Sequence, residues 1–497
     1  MKKSLIIVVG MNLILGPAQG TPVWAEDNSA TLMFAQKQGS YRDPFEDLDE
    51  EFPTLAVQEE DPFKNLEQEL AREPDSDTRK TSFFADMVES FKGQASTRVM
   101  GHYHEVREQG IDDKRVFVEG KLDFKTKVIR DRYMFNCSGW IEAGNQDDTY
   151  AGVWDPIQDT NRRRRYFEIK ELDLILIQES LDVTVGWRPF PLGISTLYVP
   201  SDRISPRDLN DPLNPKELSL LQAILDVYDG TSTYTLGFFP FFSPSKAMAN
   251  SSRWIGYPDS FYFADIGEVG EGKQQFPDKA PKNFEYLARF KTVYRGWDLF
   301  LAAFHGISPF PVLSREQRAD STKVGVQEWI RVLNLSAGFS TTYKKFEFHG
   351  ELLGQYAYDG KDDDYINYVG GFTFTLDEWV KWFWLDRVDL TLEYAGEYLI
   401  AEQSKKGYVR SSEDSRTGQD DIIGRLLLKF NEDLIAHYLF HIDLDNEGRM
   451  QRIGADYRIL DNWTVKVASE FFNGPDDSYY GRWGNNDRFI ATVEYRF

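Results

Sequence analysis

The segment that decides the fold is DRFIATVEYRF, residues 487–497. Read with a period of two, it gives an apolar or aromatic face and a mostly polar face. A period of two is that of a β-strand, so the segment predicts a strand with two unlike faces. The segment alone fits a soluble sheet as well as a membrane barrel. The apolar face holds Phe489, Ala491, Val493, Tyr495 and Phe497, and the other face holds Ile490, Thr492, Glu494 and Arg496.

The same alternation recurs from about residue 96 onward, and the lengths of the connections alternate as well. Short connections at 295–296, 342–345, 431–433 and 460–462 contrast with long ones at 144–164, 189–219, 242–283, 306–327, 400–421 and 473–488. A soluble sandwich also gives alternating strands. Because tight turns at one rim and long loops at the other are typical of outer-membrane barrels, we favour the barrel. We predict an all-β, transmembrane antiparallel barrel of about 18 strands, with about 16 as the alternative, over residues 96–497.

The composition narrows the class of protein further. The chain has 497 residues, a formal net charge of −23 and one cysteine, Cys137. No run of 18 apolar residues occurs, which excludes a spanning α-helix. A single cysteine excludes an intramolecular disulfide, and the acidic balance argues against a nucleic-acid partner.

The first 95 residues differ from the rest. Lys2 and Lys3, an apolar stretch from Leu5 to Leu15 and the sequence Val23-Trp24-Ala25 predict a secretory signal peptide over residues 1–25. Residues 26–95 are rich in Asp, Glu and Pro, which predicts a disordered, acidic periplasmic arm. The long extracellular loops belong to the barrel that follows this arm. Two similar units in this arm are either docking motifs for a periplasmic partner or chance similarity: Asp43-Pro44-Phe45 and Asp61-Pro62-Phe63.

The C-terminal pattern of Phe489, Val493, Tyr495 and Phe497 resembles the assembly signal of Gram-negative outer-membrane β-barrel proteins. The resemblance implies that the barrel-assembly machinery engages this strand and that the strand pairs with the first one. It also implies an outer-membrane location, in contact with lipid and lipopolysaccharide.

Residues 183–212 resemble a segment of porin-like and alginate-export-like barrels, in which Gly-Arg on a strand precedes a loop rich in Pro and Asp. Gly186, Pro200, Pro206 and Asp211-Pro212 match this pattern, whereas Trp187 separates Gly from Arg and the usual later Trp-Gly is missing. The resemblance implies a loop that folds inward and narrows the lumen; a proline-stiffened surface loop is the alternative. In the first case, charged residues of the loop segment would face acidic strand residues and select solutes, or would simply pair inside the barrel. The loop candidates are Arg188, Asp202, Arg203, Arg207 and Asp208, and the strand candidates are Glu347, Glu351, Glu393 and Glu397.

Four consecutive arginines, Arg162, Arg163, Arg164 and Arg165, stand at the predicted outer rim. They are candidates for binding lipopolysaccharide phosphates or for lining an anion-attracting vestibule. A solvated run offset by Asp155 and Asp159 is the third alternative.

Nothing in the sequence indicates catalysis. The six histidines are scattered, and neither a ligand set for a metal nor a phosphate-binding glycine loop is recognisable, so we predict no catalytic residue, metal or cofactor. The predicted function is a porin-like outer-membrane channel for passive or export-type passage of polar solutes. The alternatives are an exit port or accessory subunit of an export or lipid-trafficking system, docked through the arm, and an outer-membrane hydrolase.

Overall fold

The computed structural model describes residues 83–106, 111–246, 248, 251–255, 274–317, 323–405, 418–476 and 478–497. The predicted signal peptide, most of the predicted arm and both Asp-Pro-Phe units lie outside these residues. No helix within the described ranges is long and apolar enough to cross a membrane.

The regular secondary structure of the described residues is almost entirely β-strand. One helix, α1 (Phe83–Glu89), precedes them, and 3-10 helices occur at Arg253–Ile255, Pro281–Asn283, Trp379–Phe383 and Gly481–Asn486. The strands are β1 (Lys92–His102), β2 (Val116–Arg130), β3 (Tyr133–Gly144), β4 (Phe167–Gln178), β5 (Leu181–Arg188), β6 (Arg207–Asp208), β7 (Lys216–Glu217), β8 (Leu220–Asp229), β9 (Ser232–Phe239), β10 (Gln274–Gln275), β11 (Glu285–Tyr294), β12 (Trp297–Ile307), β13 (Val312–Gln317), β14 (Lys323–Glu328), β15 (Arg331–Tyr343), β16 (Phe346–Ala357), β17 (Asp364–Leu376), β18 (Arg387–Ala401), β19 (Asp420–Lys429), β20 (Leu434–Asp443), β21 (Arg449–Leu460), β22 (Trp463–Asn473) and β23 (Arg488–Arg496).

Eighteen of these strands form one closed antiparallel barrel, as the sequence predicts. The five short strands β6, β7, β10, β13 and β14 lie outside the barrel sheet. Closure occurs between the first and last strands: β1 pairs with β23 from Gln94 opposite Arg496 to His102 opposite Arg488. At the seam, the Phe497 N–H donates to the Gly93 carbonyl at 2.9 Å, and the Gly93 N–H donates back at 2.8 Å.

The barrel begins at Lys92 rather than at residue 96, and α1 lies within the segment predicted as arm. The first three outward positions of β1 are Gly93, Ala95 and Thr97, which are small or polar. They give little hydrophobic contrast between the two faces, so periodicity in the sequence locates this boundary poorly.

The two surfaces of the barrel have opposite character. On the outside, Leu301 is 59% exposed and Leu335 52%, whereas on the inside Asn367 is 0% and Glu393 1% exposed. Large apolar side chains outside and charged ones inside are the reverse of a soluble sandwich. Hydrocarbon contacting the outer surface explains the pattern, and a closed sheet leaves no backbone group unpaired there. The predicted assembly residues Phe489, Val493 and Phe497 belong to this outer surface, at 42–54% exposure.

The two rims differ as predicted. At one end, called the turn rim, two-residue turns join strands at 131–132, 179–180, 230–231, 295–296, 344–345 and 461–462. At the other end, called the loop rim, the connections include 145–166, 189–219, 240–284, 308–330, 402–419 and 474–487. In outer-membrane barrels the short turns face the periplasm.

Candidate pore site

The 31 residues between β5 and β8, here called the lumen loop (189–219), run through the inside of the barrel. Near its start, Phe190 and Leu192 pack against the inward faces of β8, β9, β11 and β12. Further on, Leu197 and Tyr198 belong to a second apolar cluster with inward residues of β17 to β22. The loop therefore crosses from one wall of the barrel to another. Its only regular secondary structure is the pair of two-residue strands β6 and β7.

Two strand carboxylates hold the middle of the lumen loop. Glu351 on β16 accepts the backbone N–H groups of Ile194 and Ser195, each at 2.5 Å, and the Ser201 hydroxyl at 2.6 Å. Glu393 on β18 accepts the N–H groups of three successive residues, 196–198, at 2.8 to 3.0 Å. A buried loop needs partners for its backbone donors, and these two carboxylates supply them.

His349 on β16 completes this arrangement. Its Nε2 lies 2.8 Å from Oε1 of Glu393, and the two side chains are fully buried. Gly371 lies between them in the sheet, opposite both residues. A Cβ on Gly371 would lie 2.6 Å from Cγ of Glu393, so glycine leaves the space that this carboxylate occupies.

Ion pairs hold the return part of the lumen loop. Asp211 receives two hydrogen bonds from Arg488 of β23, at 3.0 and 3.1 Å, and Arg488 also donates to Glu470 at 2.5 Å. Burial opposes the charge of Asp211, but Arg488 outweighs this effect and holds the pKa of Asp211 below its ordinary value. The buried charges at this end of the loop are therefore balanced.

Arg164 makes the corresponding contact for Asp208. Its Nε donates to Asp208 at 2.8 Å and its Nη1 donates to Glu119 of β2 at 3.1 Å. Burial again opposes the charge of Asp208, and Arg164, Lys216 and Lys246 together keep the pKa of Asp208 below its ordinary value. The four-arginine run is thus not a uniform surface patch, because Arg164 is only 2% exposed.

The other three arginines have separate environments. Arg165 pairs with Asp159 at 2.6 Å, which is the offset considered in the third alternative above. Arg162 donates to the Met248 carbonyl at 3.1 Å, and Arg163 lies 3.6 Å from Asp148 with about a third of its side chain exposed. Arg163 is therefore more accessible to a ligand at the loop rim than Arg164 or Arg165.

The remaining pore candidates do not form the two opposed rows that the sequence suggests. Arg207 donates to Asp202 at 2.7 Å, and Arg203 donates to the Tyr365 hydroxyl at 2.7 Å. Arg188 lies 3.8 Å from Asp173 of the neighbouring strand. Glu397 accepts from Asn367 at 2.8 Å, while Glu347 is exposed near the turn rim. The reason is that Glu351 and Glu393 bind loop backbone, which sequence cannot reveal, rather than loop arginines.

A charged cavity of about 260 Å³ lies beside the lumen loop and is called here the lumen cavity. Its walls are β1 to β4 on one side and β20 to β23 on the other, with residues 214–217 of the loop at its edge. Along β23 it extends from Arg488 to Glu494, a rise of roughly 20 Å. Its basic residues are Arg98, Lys121, Lys170, Lys216, Arg452, Lys466 and Arg488, and its acidic residues are Glu119, Asp123, Glu217, Asp456, Glu470 and Glu494.

The sequence analysis missed this cavity, although the alternation contains a signal for it. Lys466, Asp456 and Glu494 all fall on the polar faces of strands that are visible in the sequence. Only the closure of β23 onto β1 brings these faces together with Arg98 and Lys121.

Hydrogen bonds link the side chains of Tyr480, His441 and Asp421 in a chain. Catalytic sites use a similar arrangement, in which a carboxylate orients a histidine base. The Tyr480 hydroxyl lies 2.6 Å from Nδ1 of His441, and Nε2 of His441 lies 2.6 Å from Asp421. All three residues are at most 3% exposed, so a solute in the lumen does not contact them. Their position ties the loop 474–487 to the inner wall. Within the described residues no group of three His, Cys, Asp or Glu side chains is arranged to hold a metal ion.

No protein-family model matches the sequence, and no curated protein is similar to it. Among solved structures, a mutant of the Rh. blastica porin is similar over 82% of this chain and 99% of its own, with 11% identity and a TM-score of 0.38. The outer-membrane expressed OmpT of Vibrio cholerae is similar over 82% of this chain and 97% of its own, with 9% identity and a TM-score of 0.35. The closed 18-stranded sheet, the apolar outer surface and the charged interior described above make the chain an outer-membrane β-barrel protein.

Proposed function

We propose that this protein is a porin-like channel that lets polar solutes cross the outer membrane passively, and that the lumen loop narrows its passage. The lumen cavity carries this proposal. It follows the inner wall over most of the length of β23, and most of its lining residues are charged or polar. Such a lining suits hydrated solutes and needs no catalytic group.

The lumen loop supports the narrowing. Apolar side chains of the loop pack against inward residues of β8, β9, β11 and β12 and of β17 to β22. The charged cavity remains along β1 to β4 and the facing residues of β20 to β23. A channel whose cross-section is partly filled in this way conducts less than an empty barrel of the same strand number.

The first experiment is single-channel recording in a planar lipid bilayer with the full chain purified from outer membranes. Stepwise conductance is the expected result. Absence of steps from protein whose barrel is shown to be folded by circular dichroism contradicts the channel proposal.

The second experiment tests the narrowing with the double variant Glu351→Gln/Glu393→Gln. An amide accepts at only one of its two heteroatoms and lacks the negative charge, so the loop loses several of its strongest hydrogen bonds. We expect larger or noisier conductance steps. Glu347→Gln is the matched control, since Glu347 lies on the same strand as Glu351 and contacts Ser340 rather than the loop. Equal conductance in the double variant and the control contradicts the narrowing, even if the channel itself conducts.

The predicted docking role of the acidic arm remains a separate proposal. Deletion of residues 26–82 removes both Asp-Pro-Phe units and leaves α1 and the barrel intact. Loss of a co-purifying periplasmic protein together with unchanged conductance is the outcome that supports docking. Unchanged co-purification contradicts it.

A further inference from the structure

We propose that the lumen cavity is a binding site for small anionic solutes, those that carry a carboxylate or phosphate oxyanion. This inference rests on the proposed channel function and names the solute class. It is not evident from composition, because the chain carries a net charge of −23. The lining itself is nearly balanced, with seven basic and six acidic residues.

The acidic and the basic lining residues differ, however, in how exposed they are to the cavity. Four of the six carboxylates are buried in the wall: Glu119 and Glu494 are 6% exposed, Asp456 3% and Glu470 1%. Three of the basic side chains are more accessible than these carboxylates, with Lys121 at 25%, Lys466 at 21% and Arg452 at 19%, whereas Lys216 is 12% exposed and Arg488 is buried. Arg98 and Lys170 are half-buried. A solute in the cavity is therefore closer to positive charges than to most of the negative ones.

The buried carboxylates also form ion pairs with the basic residues. Glu494 lies 3.2 Å from Lys466, and Glu470 lies 3.7 Å from Arg452. These buried carboxylates fix the cations in place and reduce the cost of gathering them in one cavity. Asp123, paired with Lys121 at 2.7 Å, and Glu217 are the two lining carboxylates with appreciable exposure.

The strand register arranges the cations at successive heights. Arg452 is opposite Glu470, which is opposite Arg488, at the loop end of β23. Lys466 and Arg98 both stand opposite Thr492, four residues further along. Lys121 is opposite Ser96, which pairs with Glu494, one inward position beyond. Successive inward positions are about 7 Å apart, so the row of Lys466 and Arg98 lies about 14 Å from Arg488, and Lys121 lies about 7 Å further along.

Low-dielectric walls strengthen this effect, because they concentrate the field of fixed charges in a narrow space. A hydrated anion is thereby attracted into the cavity, and the ladder of cations gives it more than one position to occupy. Binding that is moderate and distributed over several positions permits passage as well as selection.

The test is the reversal potential of single channels of the full chain in a potassium chloride gradient, followed by addition of inorganic phosphate. We expect preference for chloride over potassium and a reduction of the chloride current by phosphate. Conductance steps with cation preference, or with no preference, overturn the inference but leave the channel in place. Absence of any steps is instead the failure of the proposed function.

Two variants test the assignment to this cavity. Lys121→Gln/Arg452→Gln/Lys466→Gln should lower the chloride-to-potassium permeability ratio by about twofold per charge removed, as expected for charges roughly 8 Å from the ion in water that salt screens with a Debye length of about 10 Å. Lys345→Gln is the control, since it removes one positive charge at the turn rim, where Lys345 pairs with Asp377. If the triple variant does not fold, Asp123→Asn provides the opposite test. It removes an accessible carboxylate and should raise the ratio by about twofold. An unchanged ratio in the variants that fold overturns the assignment.

Discussion

At the scale of single residues, the closing seam of the barrel depends on the absence of a side chain. The ring of Phe497 lies over Gly93, and a Cβ on Gly93 would be 2.4 Å from the ring. The same ring neighbours Phe91 and Tyr495, with centroids 6.5 and 6.0 Å away. The terminal aromatic that indicates a barrel in the sequence therefore has a physical role in the folded protein, which is to cover the start of the first strand.

We expect Gly93→Val to destabilise the barrel by about 1 to 3 kcal/mol, because the new methyl groups must displace the Phe497 ring. The measurement is urea unfolding of the refolded protein in lipid vesicles. Gly101→Val is the control on the same face of the same strand, since nothing lies within 4 Å of a Cβ at that position. Equal stability of the two variants would contradict the packing role of Phe497.

The arginine run offers a second comparison between neighbouring residues. Arg164→Gln leaves Glu119 and Asp208 buried without their shared cation, and we expect a loss of about 3 to 5 kcal/mol. Arg163→Gln removes an exposed pair and should change the free energy of unfolding by less than about 1 kcal/mol. Both are measured by urea unfolding. A cost at Arg163 that equals or exceeds the cost at Arg164 is inconsistent with the ion-pair geometry.

At the scale of elements, the lumen loop is the segment that packs against the inside of the barrel. Its backbone donors bind carboxylates of β16 and β18. Its acidic residues Asp211 and Asp208 bind Arg488 of β23 and Arg164 of the connection 145–166, and its apolar residues pack into the two apolar clusters. The loop is therefore held at several points around the barrel rather than at a single hinge. A single-site change should loosen one segment of the loop and leave the others in place.

The ion pairs of the loop predict how the channel responds to acid. The pKa values of Asp208 and Asp211 are lowered in the folded protein. Carboxylates with lowered pKa contribute stability above their unfolded pKa of about 3.9 and lose it as the pH falls through the folded value. Burial, followed by the charge of Asp202, raises the pKa of Glu217, so protonation of Glu217 relieves repulsion and does not release the loop.

We therefore expect single-channel conductance to stay constant from pH 7 down to about pH 5, and to rise or become noisy only below about pH 4. The measurement is bilayer recording over this range, with Asp211→Asn as the comparison. That variant should be noisy already at neutral pH, since it weakens the contact with Arg488 permanently. A transition near pH 6 in the unmodified protein would show that other groups control the loop.

At the scale of the whole molecule, the arrangement is a charged interior enclosed by an apolar surface. Leu301 lies near the middle of β12, opposite Phe290 on one side and Ala337 on the other, and it is 59% exposed. Ile459 has a similar exposure, 52%, but it lies next to the end of β21 at the turn rim. The two residues differ in depth within the membrane rather than in burial by protein.

Leu301→Arg should therefore destabilise the barrel in lipid by about 2 to 4 kcal/mol, and Ile459→Arg by no more than about 1 kcal/mol. Urea unfolding in phospholipid vesicles measures both. Equal costs at the two positions would contradict the placement of the apolar band. Because both side chains are on the outer surface, neither substitution changes the charged residues inside the barrel.

The amino-acid sequence was sufficient to predict an all-β barrel of about 18 strands, the contrast between the rims and the outer position of Phe489, Val493 and Phe497. All of these depend on local alternation and on connection lengths, which are properties of neighbouring residues. The predicted boundary at residue 96 lies four residues after the start of β1 at Lys92, because Gly93, Ala95 and Thr97 give little contrast between faces.

The contacts of the charged residues, in contrast, became visible only in the folded barrel. Glu351 and Glu393 bind the backbone of a loop that is more than 150 positions away in the chain, and Arg98 and Lys466 share a row only because β1 closes against β23. A carboxylate on the polar face of a strand has the same local pattern whether it binds a loop, fixes a lysine or faces water. The partner is set by closure of the sheet and by the path of the lumen loop, which are long-range properties that alternation does not encode.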